Sequence, residues 1–212
     1  MLGGSVWIAM IRFAISLAGT IILFSLMSSH RFCRKKMVIG YICFCAAAIS
    51  AACIWYVIDW ESCAKMVAFV LYMCFAAFSV FMSSDPFALS LYKLALTFYL
   101  LAVFLIGGIE VAVLFFDRNV WADIVARIVL ILLMAVFIDK KVKGAIRGFG
   151  EYVENELDRF SVTVMIISIL FGIGFILNPN TQEQTPYRLF QILMNFFLTG
   201  ALQILVFRLY FH

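Results

Sequence analysis

Seven apolar runs, most of them close to 20 residues long, dominate this chain of 212 residues. They lie at Val6–Ser28, Met37–Ile58, Ala64–Met82, Phe87–Phe116, Val120–Ile138, Val162–Leu177 and Tyr187–Phe211. A helix needs about 20 such residues to cross a hydrocarbon core of about 30 Å. In lipid, every backbone N–H and C=O must be satisfied within the segment, which selects helices. Composition agrees, with 66% hydrophobic and only 13% charged residues. An ordinary soluble domain is about 25% charged. The expected fold is therefore an all-α polytopic transmembrane bundle of about seven spans, forming a single domain over 1–212. A six-span version, with one weak segment lying flat, is its rival. The spans use up nearly all of the chain, so no nucleotide-binding or hydrolase domain fits in the remainder.

Loop charge sets the expected direction. The first loop carries Arg31, Arg34, Lys35 and Lys36, and the fifth carries Lys140, Lys141, Lys143, Arg147 and Arg159. The second loop, around Asp59 and Glu61, and the fourth, from Asp117 to Asp123, are net negative. Basic loops stay cytoplasmic, so the N-terminus is placed outside and the C-terminus in the cytoplasm. That arrangement puts eleven Lys or Arg on the inner side and three on the outer, with Arg12 and Arg127 inside spans. The net charge of +4 follows from this asymmetry and calls for no nucleic-acid partner. The first apolar run has no basic segment before it and no small-residue cleavage site after it. It reads as an uncleaved helix.

Several chemistries are excluded. No HExxH, GxSxG or CxxC occurs, and the six cysteines share the chain with only two histidines. No catalytic residue, metal site or cofactor is expected. The glycines at 144, 148 and 150 follow no strand and precede no P-loop Lys-Ser/Thr, so they are no nucleotide loop. Val142, Ile146, Phe149, Val153, Leu157 and Phe160 instead form a helical stripe, which reads as a cytoplasmic amphipathic segment over 140–160.

Ionisable residues within spans are the informative ones, because a charge at mid-bilayer costs at least about 2.5–3.5 kcal/mol. Arg12, Glu110 and Arg127 each fall about 9–12 Å from the outer end of their helix at 1.5 Å per residue. Glu110 and Arg127 flank one short loop, in a helix hairpin able to pair them. Lys93, near the start of the fourth run, is expected in the interface. The seventh run has Gln191, Asn195, Thr199 and Gln203 at four-residue spacing, on one slowly drifting face. Arg12, Glu110, Arg127, Gln191 and Asn195 are the expected ligand-binding set, at one outward-facing pocket whose spare positive charge suits an anionic group. Trp7, Trp55, Trp60, Trp121, Phe115 and Phe116 form the expected interfacial belt, or the mouth of a site for an apolar peptide. The competing reading makes the same polar residues glue between helices.

The stretch Ser83-Ser84-Asp85-Pro86-Phe87 followed by Leu91-Tyr92, then a long helix, a short outer loop and an Arg-bearing helix (Arg127), resembles the membrane domains of bacterial GHKL-type sensor histidine kinases. With the basic stretch from Lys140 to Phe160 and two final helices, the plan over roughly 81–212 is similar to the accessory-gene-regulator peptide-pheromone receptor kinases. The resemblance implies a sensing module in a bacterial cell membrane, an extracellular peptide signal, and a homodimer. It also implies a last helix that passes the signal to a cytoplasmic kinase outside these 212 residues. His212 lacks surrounding kinase motifs and is no phospho-acceptor. The alternatives are a small transporter or transporter subunit, and a structural or assembly protein without a ligand.

Overall fold

The computed structural model describes residues 6–142, 166, 169, 190 and 193–201. The described residues form an all-helical bundle. Its helices are α1 (Val6–Met27), α2 (Arg34–Ile58), α3 (Trp60–Met82), α4 (Phe87–Phe115) and α5 (Val120–Phe137), the last continuing into one π-helical turn at Ile138–Val142. Four segments are long and apolar enough to cross a membrane: Trp7–Met27, Arg34–Ile58, Leu89–Phe115 and Val120–Lys141. A shorter apolar stretch, Val70–Met82, closes α3. This is the architecture of a membrane protein. The amphipathic segment beyond residue 142 and most of the expected sixth and seventh spans lie outside the described residues.

The helices begin and end near the apolar boundaries, with two instructive shifts. α2 starts at Arg34 and so includes Arg34, Lys35 and Lys36 in its first turn. α3 starts at Trp60, four residues before its apolar run. A helix stops where its backbone finds other partners, and the hydrocarbon edge does not end it.

α1 and α4 run through the middle of the bundle. On one side the α2–α3 hairpin packs on α1 through Leu17, Ala48, Ala52 and Leu71, and near Phe24 and Phe75. Ala48 and Ala52, four residues apart, let α2 approach closely. On the other side α5 packs along α1 and α4, with Leu23, Leu100, Phe104, Ile106 and Ile131 in one buried cluster. Arg12 meets Asp123, and seven residues on Gly19 meets Ile131, so α1 and α5 run in the same direction. The starts of α1 and α5, the α2–α3 turn and the α4–α5 turn share one end of the bundle, here the N-terminal end. The α1–α2 and α3–α4 loops share the far end. Large apolar side chains cover the outside, among them Val57 at 85% and Leu133 at 64% exposure. Such a surface suits lipid and would be untenable in water.

Buried hydroxyls are absorbed locally. Ser16, Thr20 and Thr97 each donate to the carbonyl four residues back, at 2.9, 2.8 and 2.7 Å. This bonding costs no partner on another helix and lets polar residues sit inside spans.

Candidate functional site

The N-terminal end holds a buried charge cluster centred on Asp123. Its construction begins at the turn between α4 and α5. Asp117 and Arg118 take left-handed backbone angles (φ 47° and 63°), and the Phe116 and Arg118 amides both donate to the Ala112 carbonyl. Asn119 then caps α5, its Oδ1 accepting from the Trp121 amide at 2.9 Å. Asp123 follows as the fourth residue of α5. A carboxylate in the first turn faces the positive end of the helix dipole.

Arg127, one turn on, donates from Nε to Asp123 Oδ1 at 2.7 Å. Arg12 of α1 brings its Nε to 2.9 Å from Asp123 Oδ2. The Arg12 contact is close but poorly aligned: neither its Nε nor its Nη2 makes a hydrogen bond, and both atoms are buried. It is an ion pair by proximity, whereas Arg127 makes a directed bond. One fully buried carboxylate thus serves two guanidinium groups. Gly108 of α4 makes the close approach possible. A Cβ there would lie 2.7 Å from Arg127 Cγ and 3.0 Å from Asp123 Oδ1.

The cluster differs from the expected one in its acid. Asp123 reads in the sequence as part of the fourth loop, yet it, in place of Glu110, receives the Arg127 Nε–H bond. Glu110 is buried at 4% exposure and is itself engaged in an interaction. It lies two residues from Gly108, about 200° around α4, so its side chain leaves the helix on another side from Asp123 and Arg127. That side carries Tyr99, whose hydroxyl donates to Asn195 Oδ1 at 2.9 Å. Tyr99 is about 16 Å along the helix from Glu110 at 1.5 Å per residue. The structure therefore joins Arg12 to Arg127 through Asp123, and places Asn195 farther down the bundle against a different face of α4. Gln191 lies outside the described residues. The i,i+4 spacing of Asp123 and Arg127, just after an Asn cap, is the sequence signal that finds this pair.

A second polar cluster fills the far end. Asp85 Oδ2 accepts from Lys93 Nζ at 2.7 Å, from the Ser83 hydroxyl at 3.1 Å and from the Ser29 amide at 3.1 Å. Backbone bonds join the same two loops: the Ser84 amide donates to the Ser29 carbonyl at 3.0 Å, and the Arg31 amide to the Met82 carbonyl at 3.1 Å. Lys93, expected in the interface, is only 2% exposed. It is drawn inward because Asp85 waits two turns earlier, at the helix start. The Ser83–Asp85 stretch and its neighbours thus act as a fastener between the α1–α2 and α3–α4 loops.

Among the described residues no three His, Cys, Asp or Glu side chains gather as a metal site. Compared with known protein families, with curated proteins and with solved structures, the chain matches none of them.

Proposed function

We propose that this chain is the sensing module of a bacterial membrane receptor, with an anionic or peptide signal received at the N-terminal end and passed along α1 and α4 to the far end. The observation that supports the reading is the apolar seal between two polar clusters. From Leu100 to Ile106 on α4, from Ile21 to Phe24 on α1 and from Ile128 to Ile138 on α5 no side chain is polar. Leu23, Leu100, Phe104, Ile106 and Ile131 from these stretches pack into one buried cluster. A transporter needs polar groups along its substrate path through the membrane, and this seal interrupts such a path among the described residues. A sensor needs only that the same helices carry both clusters, because a ligand preferring one helix arrangement shifts both ends together.

In this reading the chain spans the membrane seven times with its N-terminus outside, in a bacterial cell membrane, and works as a homodimer with a kinase supplied beyond these residues. Arg12, Arg127 and Asp123 form the receiving end, and Glu110, Gln191 and Asn195 are the other members of the ligand-binding set. The exposed Trp7, Phe115, Phe116 and Trp121 belong to the outer interfacial belt. The test is deletion of the gene in its own host, followed by transcript profiling with and without conditioned medium. A sensor deletion abolishes the response of a defined transcript set, and Arg12→Gln in the restored gene reproduces the loss. An unchanged transcript response, with altered uptake or envelope composition, overturns the proposal.

A further inference from the structure

The far-end fastener contains one group whose ordinary pKa, 6.5, lies near neutral pH. His30 sits between the two bonded loops, in the backbone bridge opposite Ser83. Its Nε2 lies 3.2 Å from the Ser25 carbonyl of α1, which makes Nε2–H the donor and leaves Nδ1 as a lone pair. Nδ1 is buried and has no hydrogen-bond partner. The edge of the ring meets Tyr41 of α2, with centroids 6.3 Å apart. The charges that act on His30 are those of Asp85, in the α3–α4 loop, and Lys93, on α4. Arg31, Arg34, Lys35 and Lys36, next along the chain, are exposed to solvent.

A neutral imidazole is tolerable there, because a buried lone pair is a modest burden. A second proton makes Nδ1–H a buried cationic donor without an acceptor, which is costly. Asp85 favours the charged ring, but its Oδ2 already accepts from Lys93, Ser83 and Ser29, and its pull is smaller than the effect of burial. The Lys93 ammonium adds repulsion.

We infer that His30 is a proton-operated catch: while its ring is neutral the α1–α2 loop stays fastened to the α3–α4 loop, and protonation releases it. The direction of the linkage agrees. Burial, the dominant influence, lowers the pKa of His30 below its ordinary 6.5 and outweighs the opposing pull of the Ser25 carbonyl and Asp85. The fastened state therefore takes up its proton later than the released state. Its advantage is full above pH 6.5 and is lost as pH falls through the lowered value. The catch does not depend on what the N-terminal end binds.

The test is hydrogen exchange on the full chain in lipid nanodiscs between pH 7.5 and 5, expressed as protection relative to the intrinsic rate at each pH. The amides of Ser29, Arg31 and Ser84 are the donors that fasten the loops. Their protection is expected to fall by up to about tenfold per pH unit once pH drops below 6.5, the limit for one proton. The Arg118 amide at the N-terminal end is expected to hold steady, and His30→Gln is expected to flatten the profile. Flat protection in the unaltered protein, or an equal fall in the His30→Gln variant, overturns the inference. Should that variant fail to fold, the His30 titration followed by NMR in the unaltered protein decides the matter. A pKa at or above the ordinary 6.5 sinks the catch.

Discussion

The two ends of this bundle solve the burial of charge in opposite ways. At the N-terminal end one carboxylate, Asp123, is shared by Arg12 and Arg127, and Arg12 is held without a directed bond. At the far end one ammonium, Lys93, meets a carboxylate that also takes a hydroxyl and a backbone amide. The first cluster has a surplus of donors and the second a surplus of support. Breaking a buried pair costs in proportion to what is left uncompensated. The N-terminal cluster should thus be the more fragile end.

The largest expected effect comes from Asp123→Asn, which takes the counter-charge from the buried Arg127 and the partly buried Arg12. A loss of about 3–5 kcal/mol is expected for removing one member of such a set. Unfolding by a graded anionic detergent, followed by circular dichroism, measures it. Lys93→Met should cost less, about 2–3 kcal/mol, because Asp85 keeps the Ser29 amide and the Ser83 hydroxyl. Combining it with Asp85→Asn should recover at least about 1 kcal/mol by the double-mutant cycle. If Lys93→Met proves as damaging as Asp123→Asn, the contrast between the two ends collapses.

Smaller effects sharpen the same contrast. Gly108→Ala pushes a methyl group into Arg127 and Asp123 and should cost about 1–3 kcal/mol, as overpacking does. Gly200→Ala has open space around it and should gain up to about 1 kcal/mol from helix propensity alone. The sign difference between two glycines on one thermal-stability assay tests whether the N-terminal cluster is tightly seated. Asn119→Ala removes the cap of α5 and should cost about 1 kcal/mol. An unchanged melting temperature would mean that the Asp123 helix start is held by its ion pairs and not by its cap.

Much of the fold was legible in the sequence. Apolar run lengths predict α1, α4 and α5 to within one residue at each end, and the α2–α3 turn at Asp59 follows from its polar residues. Arg12 and Arg127 stand out as charges that need a partner inside a span, and both have one. The acid was harder to read. Asp123 looks like loop charge because it lies beside Asp117 and Arg118, and its role as a helix-start residue depends on Asn119 capping α5. Lys93 looks interfacial until Asp85 is seen to be within reach of its stem.

What the sequence determined by itself is the class of solvent and the class of element. Stretches this apolar and this long can satisfy their backbone only as helices in lipid, whatever their neighbours. The tertiary structure alone decided which charges meet. That choice rests on the rotation of each helix about its axis, and two residues on α4 separate the face at Gly108 from that of Glu110 by about 200°. Hydropathy carries no record of that angle. It is set by the fit of small residues such as Gly19, Ala48 and Gly108 against the helices beside them.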